Sequence, residues 1–216
     1  DSDKMKADNL NARPFDDSLL RRYDRDSAPQ ADFVRLVREF SPGLIAVSAT
    51  EDMYPIALHL LEGLPADRPP VLLGGVFATF APELALRKSE GLIDYVIKGE
   101  GERGLPELCR RLEAGESPEG VPGLWRRRED GSLLQAKLPE PIDANELPLP
   151  DYSDFEESRY YRPMQGKLSR MFPIETFRGC PYTCAYCNSP SQMAVYKEQD
   201  QKYFRMKWVG KVRDEI

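Results

Sequence analysis

Residues 71–79 read VLLGGVFAT, a short apolar run that ends at two adjacent glycines. A continuous apolar run of this kind is typical of a strand that is buried on both faces of a parallel sheet. We therefore predict a strand over residues 71–73 that ends at Gly74 and Gly75. Similar apolar runs occur before and after it in the sequence, so this strand indicates the fold class of the whole region.

Helix and strand patterns alternate along the first two thirds of the chain. Within residues 31–40, apolar residues recur at i, i+3, i+4 and i+7, the spacing of one helix face. Further helices are predicted over residues 53–61, 82–87 and 105–112, and further strands over residues 43–48, 93–97, 124–128 and 133–136. The last two strands flank Asp130 and Gly131, a hairpin turn signal. This alternation predicts an α/β fold, an open Rossmann-like parallel sheet with helices on both faces.

Composition and charge exclude several classes of protein. The chain has 216 residues, of which 41% are hydrophobic and 31% charged, and this argues against disorder over most of its length. A net charge of −6 argues against nonspecific nucleic-acid binding. No apolar run approaches the roughly 18 residues that span a bilayer, and the first ten residues have no hydrophobic signal core. We therefore predict no membrane span, no specific nucleic-acid partner and a cytoplasmic location.

A proline-rich segment predicts a domain boundary. Residues 139–150 read PEPIDANELPLP, and prolines at this density favour an extended connection without helix. We predict a first domain over residues 1–138, a linker over 139–165 and a second domain over 166–216. Residues 173–178 are predicted to form a strand that leads into the cysteines.

Three of the four cysteines lie in the spacing CxxxCxxC, at Cys180, Cys184 and Cys187. Such crowding predicts a metal site in a reducing compartment. Three thiolates can bind three irons of a 4Fe–4S cube and leave the fourth iron open to a small molecule. A zinc knuckle is the first alternative, but it needs a fourth Cys or His, and the single histidine, His59, lies far upstream. Three free thiols are the second alternative.

The stretch ETFRGCPYTCAYC, residues 175–187, resembles the radical S-adenosylmethionine superfamily. The hallmark of that superfamily is CxxxCxxC after the first strand of a partial β/α barrel, with an aromatic residue before the third cysteine, and Tyr186 matches this aromatic. The resemblance implies a 4Fe–4S cluster on the three cysteines, S-adenosylmethionine on the open iron and Tyr186 beside its adenine. It also implies an external electron donor, flavodoxin-like or ferredoxin-like, and a 5′-deoxyadenosyl radical that abstracts hydrogen from a small-molecule substrate.

The order of the predicted domains resembles the cobalamin-binding subclass of this superfamily. Three signatures match, VSATED at residues 47–52, LLGGVFAT at 72–79 and KGEGE at 98–102. Each lies at the carboxyl end of a predicted strand, where open α/β sheets bind ligands. The resemblance implies that the following residues contact cobalamin: Ser48, Ala49, Thr50, Gly74, Gly75, Phe77, Thr79, Gly99, Glu100 and Gly101.

Other features have simpler interpretations. Residues 99–104 also fit the dinucleotide pattern GxGxxG, but Glu100 and Glu102 would face the pyrophosphate. His59 lacks the DxHxxG context of a cobalt ligand and is predicted to lie on a helix surface. Cys109 is predicted to be a small packing residue, which excludes a second cluster in the first domain. The basic residues near the end are predicted to form a solvated helix face: Lys202, Arg205, Lys207, Lys211 and Arg213.

The implied reaction is methylation of an unactivated carbon or phosphorus. One S-adenosylmethionine supplies the methyl group through methylcobalamin, and a second supplies the radical. Ring closure or rearrangement by related enzymes is one alternative, and a non-catalytic iron–sulfur binding or electron-transfer module is another. No catalytic residue is assigned. A full barrel needs roughly 200 residues, and residues 1–30 offer no candidate for the first strand of the cobalamin domain, so we expect the chain to be a fragment.

Overall fold

The computed structural model describes residues 28–164 and 167–216, which form two compact units. The first, here called the α/β unit, comprises Ala28–Asp143 and Gly179–Arg205. The second, here called the small unit, comprises Ala144–Arg178 and Met206–Ile216 in the described part of the chain. The expectation that residues 1–30 offer no candidate for the first strand of the cobalamin domain falls mostly on residues outside the described part of the chain. The contacts group the cysteine segment with the first predicted domain, whereas the predicted boundaries follow sequence order, and those boundaries stay a prediction.

The α/β unit contains a five-stranded sheet in the order β1-β2-β3-β4-β5. Its strands are β1 (Ile45–Ser48), β2 (Val71–Gly74), β3 (Tyr95–Ile97), β4 (Leu124–Arg127) and β5 (Leu133–Gln135). β1, β2 and β3 are parallel, with Ala46 opposite Leu72 and Leu72 opposite Tyr95. β4 and β5 are antiparallel additions that form the predicted hairpin. The predicted open parallel sheet is confirmed.

Within residues 28–143, which are all described, five helices flank this sheet. They are α1 (Pro29–Phe40), α2 (Tyr54–Glu62), α3 (Val76–Phe80), α4 (Pro82–Lys88) and α5 (Gly101–Glu113). α3 is absent from the prediction, and α5 begins four residues before the predicted start at Leu105. The prediction missed this first turn because Gly101 and Gly104 are poor helix formers.

Two apolar clusters lie on opposite faces of the sheet. Val71 and Leu73 pack with residues of α2, α3 and α4, including Leu61, whereas Leu72 and Ile97 pack with residues of α5. The strand alternates its side chains between the faces, and full burial of each large apolar side chain stabilises the fold by about 1.5–3 kcal/mol. The predicted helices on both faces are confirmed, and the carboxyl ends of β1, β2 and β3 are held at one edge.

The remaining elements are short. A 3₁₀ helix (Glu157–Tyr160) precedes the hairpin of β6 (Tyr161–Met164) and β7 (Lys167–Arg170), followed by β8 (Phe177–Arg178), α6 (Ser189–Lys197), β9 (Arg205–Met206) and α7 (Val209–Asp214). In the small unit, Tyr160 stacks on Phe172 with ring centroids 4.6 Å apart. Within residues 28–164 and 167–216, no helix is both long enough and apolar enough to cross a membrane.

Two predictions for the later part of the chain are wrong. The strand predicted over residues 173–178 is limited to Phe177–Arg178, since Pro173 cannot donate a ladder hydrogen bond. The basic residues near the end do not form one solvated face. Arg205 lies in β9 rather than in a helix, and Lys207 is buried, with its ammonium 2.7 Å from the Glu215 carboxylate.

Candidate functional site

Three segments lie at the carboxyl edge of the sheet, where the parallel strands end. The first contains residues 48–50 at the end of β1, the second residues 74–79 from the end of β2 into α3, and the third residues 99–101 between β3 and α5. We call them the three rim loops. Because the strands are parallel, their carboxyl ends meet at one edge. The structure therefore brings together the three segments that the sequence predicts to hold cobalamin.

Backbone hydrogen bonds join the first rim loop to the second. The Ala49 N–H donates to the Gly74 carbonyl at 3.3 Å, and the Phe77 N–H donates to the Ala49 carbonyl at 3.4 Å. Ala49 and Phe77 are both buried. The Phe77 ring packs against Tyr54, with centroids 4.8 Å apart, and burial raises the pKa of Tyr54 to about 12. These two rim residues thus lie in the core, while Ser48 and Thr50 stay exposed.

Thr79 joins the second rim loop to the third. Its hydroxyl donates to the Gly75 carbonyl at 3.0 Å and accepts from the Gly99 N–H at 3.1 Å. Thr79 is buried, where an unpaired N–H would cost about 1–3 kcal/mol. One hydroxyl therefore satisfies backbone groups of two loops.

Two rim glycines permit close packing of protein on protein. Gly75 has φ +94°, and a Cβ there would lie 2.9 Å from both the Ala49 carbonyl oxygen and Ser48 Oγ. Gly99 has φ +89°, and a Cβ there would lie 2.4 Å from Leu138 Cδ1. Both positions need glycine for the fold itself.

Other rim positions are open. A Cβ on Gly101 would meet no other atom within 4 Å among the described residues, and one on Gly74 would only reach the Val47 carbonyl oxygen at 4.0 Å. At the exposed Thr50, the hydroxyl donates to Asp52 at 2.5 Å, and this bond lowers the pKa of the Asp52 carboxyl. Open glycines beside exposed hydroxyls give space and hydrogen-bonding groups on one edge, so the rim residues fit a bulky polar cofactor such as cobalamin.

Glu100, in the third rim loop, faces Arg205. Arg205 Nη1 donates to Glu100 Oε2 at 3.0 Å, and its Nη2 donates to Glu100 Oε1. The Ile142 N–H also donates to Glu100 Oε2, at 3.1 Å. Both carboxylate oxygens thus have protein partners. That Glu100 contacts cobalamin stays a prediction.

The cysteine loop begins at Gly179, whose φ of +79° favours glycine. A Cβ at Gly179 would lie 2.5 Å from the Tyr203 carbonyl oxygen, so the loop passes close to the backbone near residue 203. Cys180 is half-buried, whereas Cys184 and Cys187 are exposed. Tyr186 is 93% exposed, which leaves its ring accessible to a ligand.

The donor set of this loop fits an iron–sulfur cluster. The Cys187 N–H donates to the Cys184 carbonyl at 3.2 Å, and the Ser189 N–H donates to Cys187 Sγ at 3.4 Å, a contact that favours negative charge on the sulfur. No three His, Cys, Asp or Glu side chains of residues 28–164 and 167–216 are grouped so as to hold one metal ion. In a cube each thiolate binds a different iron, so its ligands need not meet at one atom.

Tyrosines fix the segment that follows the cysteines. The Tyr203 hydroxyl donates to Gln192 Oε1 at 2.8 Å, and its ring lies 5.2 Å from that of Tyr196. Tyr196 is buried, and this burial raises the pKa of its hydroxyl to about 12. Sequence reasoning missed Tyr196, Tyr203 and Arg205, since no spacing pattern marks contacts between distant segments.

The features to which the sequence analysis gave simpler interpretations lie in ordinary structural surroundings. His59 is exposed on α2, with Nδ1 3.4 Å from Glu62 Oε2, which confirms its predicted surface position. Cys109 is half-buried on α5. Gly99 and Gly104 both pack against protein atoms, so the GxGxxG pattern serves local packing in this fold.

Comparisons with known proteins agree with this arrangement. Residues 17–109 match the family model of the B12 binding domain. An uncharacterized methyltransferase of Pyrococcus horikoshii is 30% identical over 168 residues, which are 75% of this chain and 35% of that protein. The anaerobic magnesium-protoporphyrin IX monomethyl ester cyclase of Rubrivivax gelatinosus is 29% identical over 150 residues, 67% of this chain and 25% of that protein.

A solved structure shares the fold. The cobalamin-dependent S-adenosylmethionine radical enzyme OxsB, with aqua-cobalamin and S-adenosylmethionine bound, superposes with a TM-score of 0.63 at 18% identity, over 86% of this chain and 24% of that chain. The chain thus spans about a third or less of the length of the proteins that it matches. A parallel sheet with a B12-binding domain, followed by CxxxCxxC, is the arrangement that the resemblance implied. The chain thus contains a B12-binding domain over residues 17–109, and its fold is similar to that of a cobalamin-dependent S-adenosylmethionine radical enzyme.

Proposed function

We propose that this protein transfers a methyl group to an unactivated carbon or phosphorus atom of a small-molecule substrate. It would bind cobalamin at the three rim loops and a 4Fe–4S cluster at Cys180, Cys184 and Cys187. When bound, the cluster and S-adenosylmethionine supply a 5′-deoxyadenosyl radical, and cobalamin supplies a carrier for the methyl group. A relative that is named a methyltransferase supports this reaction class.

One observation carries the proposal. The cysteine segment Gly179–Arg205 belongs to the same compact unit as the rim loops, although more than 75 residues separate Gly101 from Gly179 along the chain. Groups that act in turn on one substrate must be held near one another, because orientation accounts for a large part of the rate. The fold thus supports one combined site rather than two independent modules.

The chain's own residues have distinct roles in this site. The exposed thiols of Cys184 and Cys187 are accessible to iron, and Cys180 lies half-buried at the start of the loop. The Tyr186 ring would lie against the adenine of S-adenosylmethionine. Ser48 and Thr50 would offer hydroxyls to cobalamin, and the open positions at Gly74 and Gly101 would let it approach the backbone.

Reductant and compartment follow from the cluster chemistry. The proposed cluster must receive an electron before it can cleave S-adenosylmethionine, so we propose an external one-electron donor of the flavodoxin or ferredoxin type. A cluster on three cysteines requires reduced thiols, which supports a cytoplasmic location.

The first experiment tests radical chemistry. The full-length protein is reconstituted anaerobically with iron and sulfide, reduced with dithionite and given S-adenosylmethionine, and 5′-deoxyadenosine is measured by chromatography. We expect release of 5′-deoxyadenosine by the wild type and none by Cys184→Ala. Cys109→Ala is the matched control, because this thiol lies on α5 outside the motif, and it should retain the activity. An assembled cluster that releases no 5′-deoxyadenosine would favour the non-catalytic module.

The second experiment separates methyl transfer from ring closure. Ring closure is an alternative because one relative is named a cyclase. The reconstituted protein is loaded with hydroxocobalamin, reduced with titanium citrate and given S-adenosylmethionine with a deuterated methyl group. We expect S-adenosylhomocysteine to appear only when cobalamin is present. Formation of 5′-deoxyadenosine without S-adenosylhomocysteine would contradict methyl transfer and favour cyclisation or rearrangement.

A further inference from the structure

Glu100 and Arg205 form a paired, largely buried contact inside the α/β unit. Their side chains are only 15% and 14% exposed, and both guanidinium Nη atoms donate to the carboxylate. Arg205 Nη1 also donates to the Ile142 carbonyl at 2.7 Å. A planar guanidinium that meets both carboxylate oxygens fixes orientation as well as distance.

The two residues come from parts of the chain with different predicted tasks. Glu100 lies between Gly99 and Gly101 in the third rim loop, whereas Arg205 ends the segment that carries the cysteines. A neighbouring contact runs from Gln201 Nε2 to the Leu138 carbonyl, at 3.4 Å, and Leu138 packs against Gly99 of the third rim loop. The ion pair is therefore a charged contact between the third rim loop and the cysteine segment.

A buried ion pair of this kind is expected to fix the position of the third rim loop rather than to add stability. Removing charges from water is costly, and apolar substitutes for a buried ion pair often leave a protein equally stable. A loss of only one partner, in contrast, leaves a buried charge without its counterpart. What apolar residues do not supply is the fixed direction of a two-point contact.

We propose that Glu100 and Arg205 are positioning residues that hold the third rim loop against the cysteine segment, so that cobalamin retention depends on Arg205, a residue outside the rim loops. This inference rests on the proposed binding of cobalamin at the rim. If the pair is broken, the loop must be ordered again each time cobalamin binds. Ordering one backbone residue lowers affinity by about one order of magnitude.

The test measures hydroxocobalamin binding by equilibrium dialysis, with the visible spectrum as the readout. The full-length protein is compared with Glu100→Gln, Arg205→Gln and the double variant. We expect each single change to raise the Kd about tenfold and the double change to raise it no further, since both singles break the same contact. Arg205→Lys keeps the charge but loses the two-point geometry, and it should give an intermediate Kd.

The matched control is an ion pair at the opposite edge of the same sheet. Arg68 Nη1 lies 2.7 Å from Asp94 Oδ2, which also accepts from the Val71 N–H at the start of β2. Asp94→Asn should lower the melting temperature without changing the Kd for hydroxocobalamin. A general loss of stability would instead weaken binding in this control as well.

Each outcome decides a different question. Wild-type protein that does not retain hydroxocobalamin would refute the proposed cobalamin site itself. Wild-type retention together with an unchanged Kd in Glu100→Gln and Arg205→Gln would overturn the positioning role alone. Additive losses in the double variant would also overturn it, because the two side chains would then act separately. If Glu100→Gln does not fold by circular dichroism, the comparison of wild type with Arg205→Lys still decides the matter.

Discussion

Replacement of Gly75 by alanine should loosen the first two rim loops from each other. The residue has φ +94° and ψ −171°, a conformation that is essentially restricted to glycine. An added Cβ would lie 2.9 Å from the Ala49 carbonyl oxygen and 3.0 Å from the Ala49 nitrogen. These are backbone atoms, so they cannot rotate away as the end of a flexible side chain can.

The expected magnitude has two parts. Backbone strain at a positive φ costs about 1–2 kcal/mol for an alanine. Forcing extra volume into a packed site costs about 1–3 kcal/mol more. We therefore expect Gly75→Ala to lower the free energy of unfolding by about 2–5 kcal/mol. The loop at Ser48 and Ala49 should shift with it, because the Phe77 N–H bond to the Ala49 carbonyl would lengthen.

Gly91→Ala separates the two parts. Gly91 has a similar φ of +90°, but a Cβ there would meet no atom of the described residues within 4 Å. The free energy of unfolding of Gly91→Ala should fall only by the cost of backbone strain, about 1–2 kcal/mol, and the variant should retain hydroxocobalamin. The assay is urea unfolding followed by circular dichroism, with corrin retention after desalting as the second readout. Equal destabilisation of both variants, or full corrin retention by Gly75→Ala, would refute the reasoning.

Three further changes test other parts of the site and fold. Thr79→Val should lower the free energy of unfolding by about 1–3 kcal/mol in urea titrations, because two backbone partners lose their hydroxyl, and Thr79→Ser should lose less; equal losses would contradict this. Gly179→Ala places a Cβ 2.5 Å from the Tyr203 carbonyl oxygen, so iron per protein after anaerobic reconstitution should fall, and an unchanged iron content would be the contrary result. Hydrogen bonding by Arg110 lowers the pKa of Glu107 from 4.5 to about 2. Because this pKa is lowered, the contribution of the Glu107 carboxylate to stability is complete above pH about 4.5 and is lost as the pH falls towards 2. The difference in urea midpoint between wild type and Glu107→Gln should shrink over that range, and a constant difference would show that ionisation is not involved.

Much of the fold is predictable because its signals are local. β2 is a continuous apolar run that ends at two glycines, and the hairpin of β4 and β5 is marked by its turn residues. The position of the rim loops follows from chain order alone, since parallel strands end at one edge. These features need no knowledge of distant contacts.

Other features depend on contacts between distant parts of the chain. α3 consists of VFATF, in which valine, threonine and phenylalanine favour strands, and its helix is held by burial of Phe77 and Ala78 in the core. The pairing of Glu100 with Arg205 spans 105 residues without any periodic pattern. The sequence predicts which residues carry the chemistry, but the contacts that fix their direction arise only in the folded chain.

The links between the rim loops have a practical consequence for engineering. Hydrogen bonds join Ala49 to Gly74 and Thr79 to both Gly75 and Gly99. Glu100, the neighbour of Gly99 in the chain, pairs with Arg205. A chimera that imported only the KGEGE loop from a relative would leave its new carboxylate facing whichever residue the host carries at position 205. Successful grafts should therefore transfer the loop together with its distant arginine, as a matched pair of fragments.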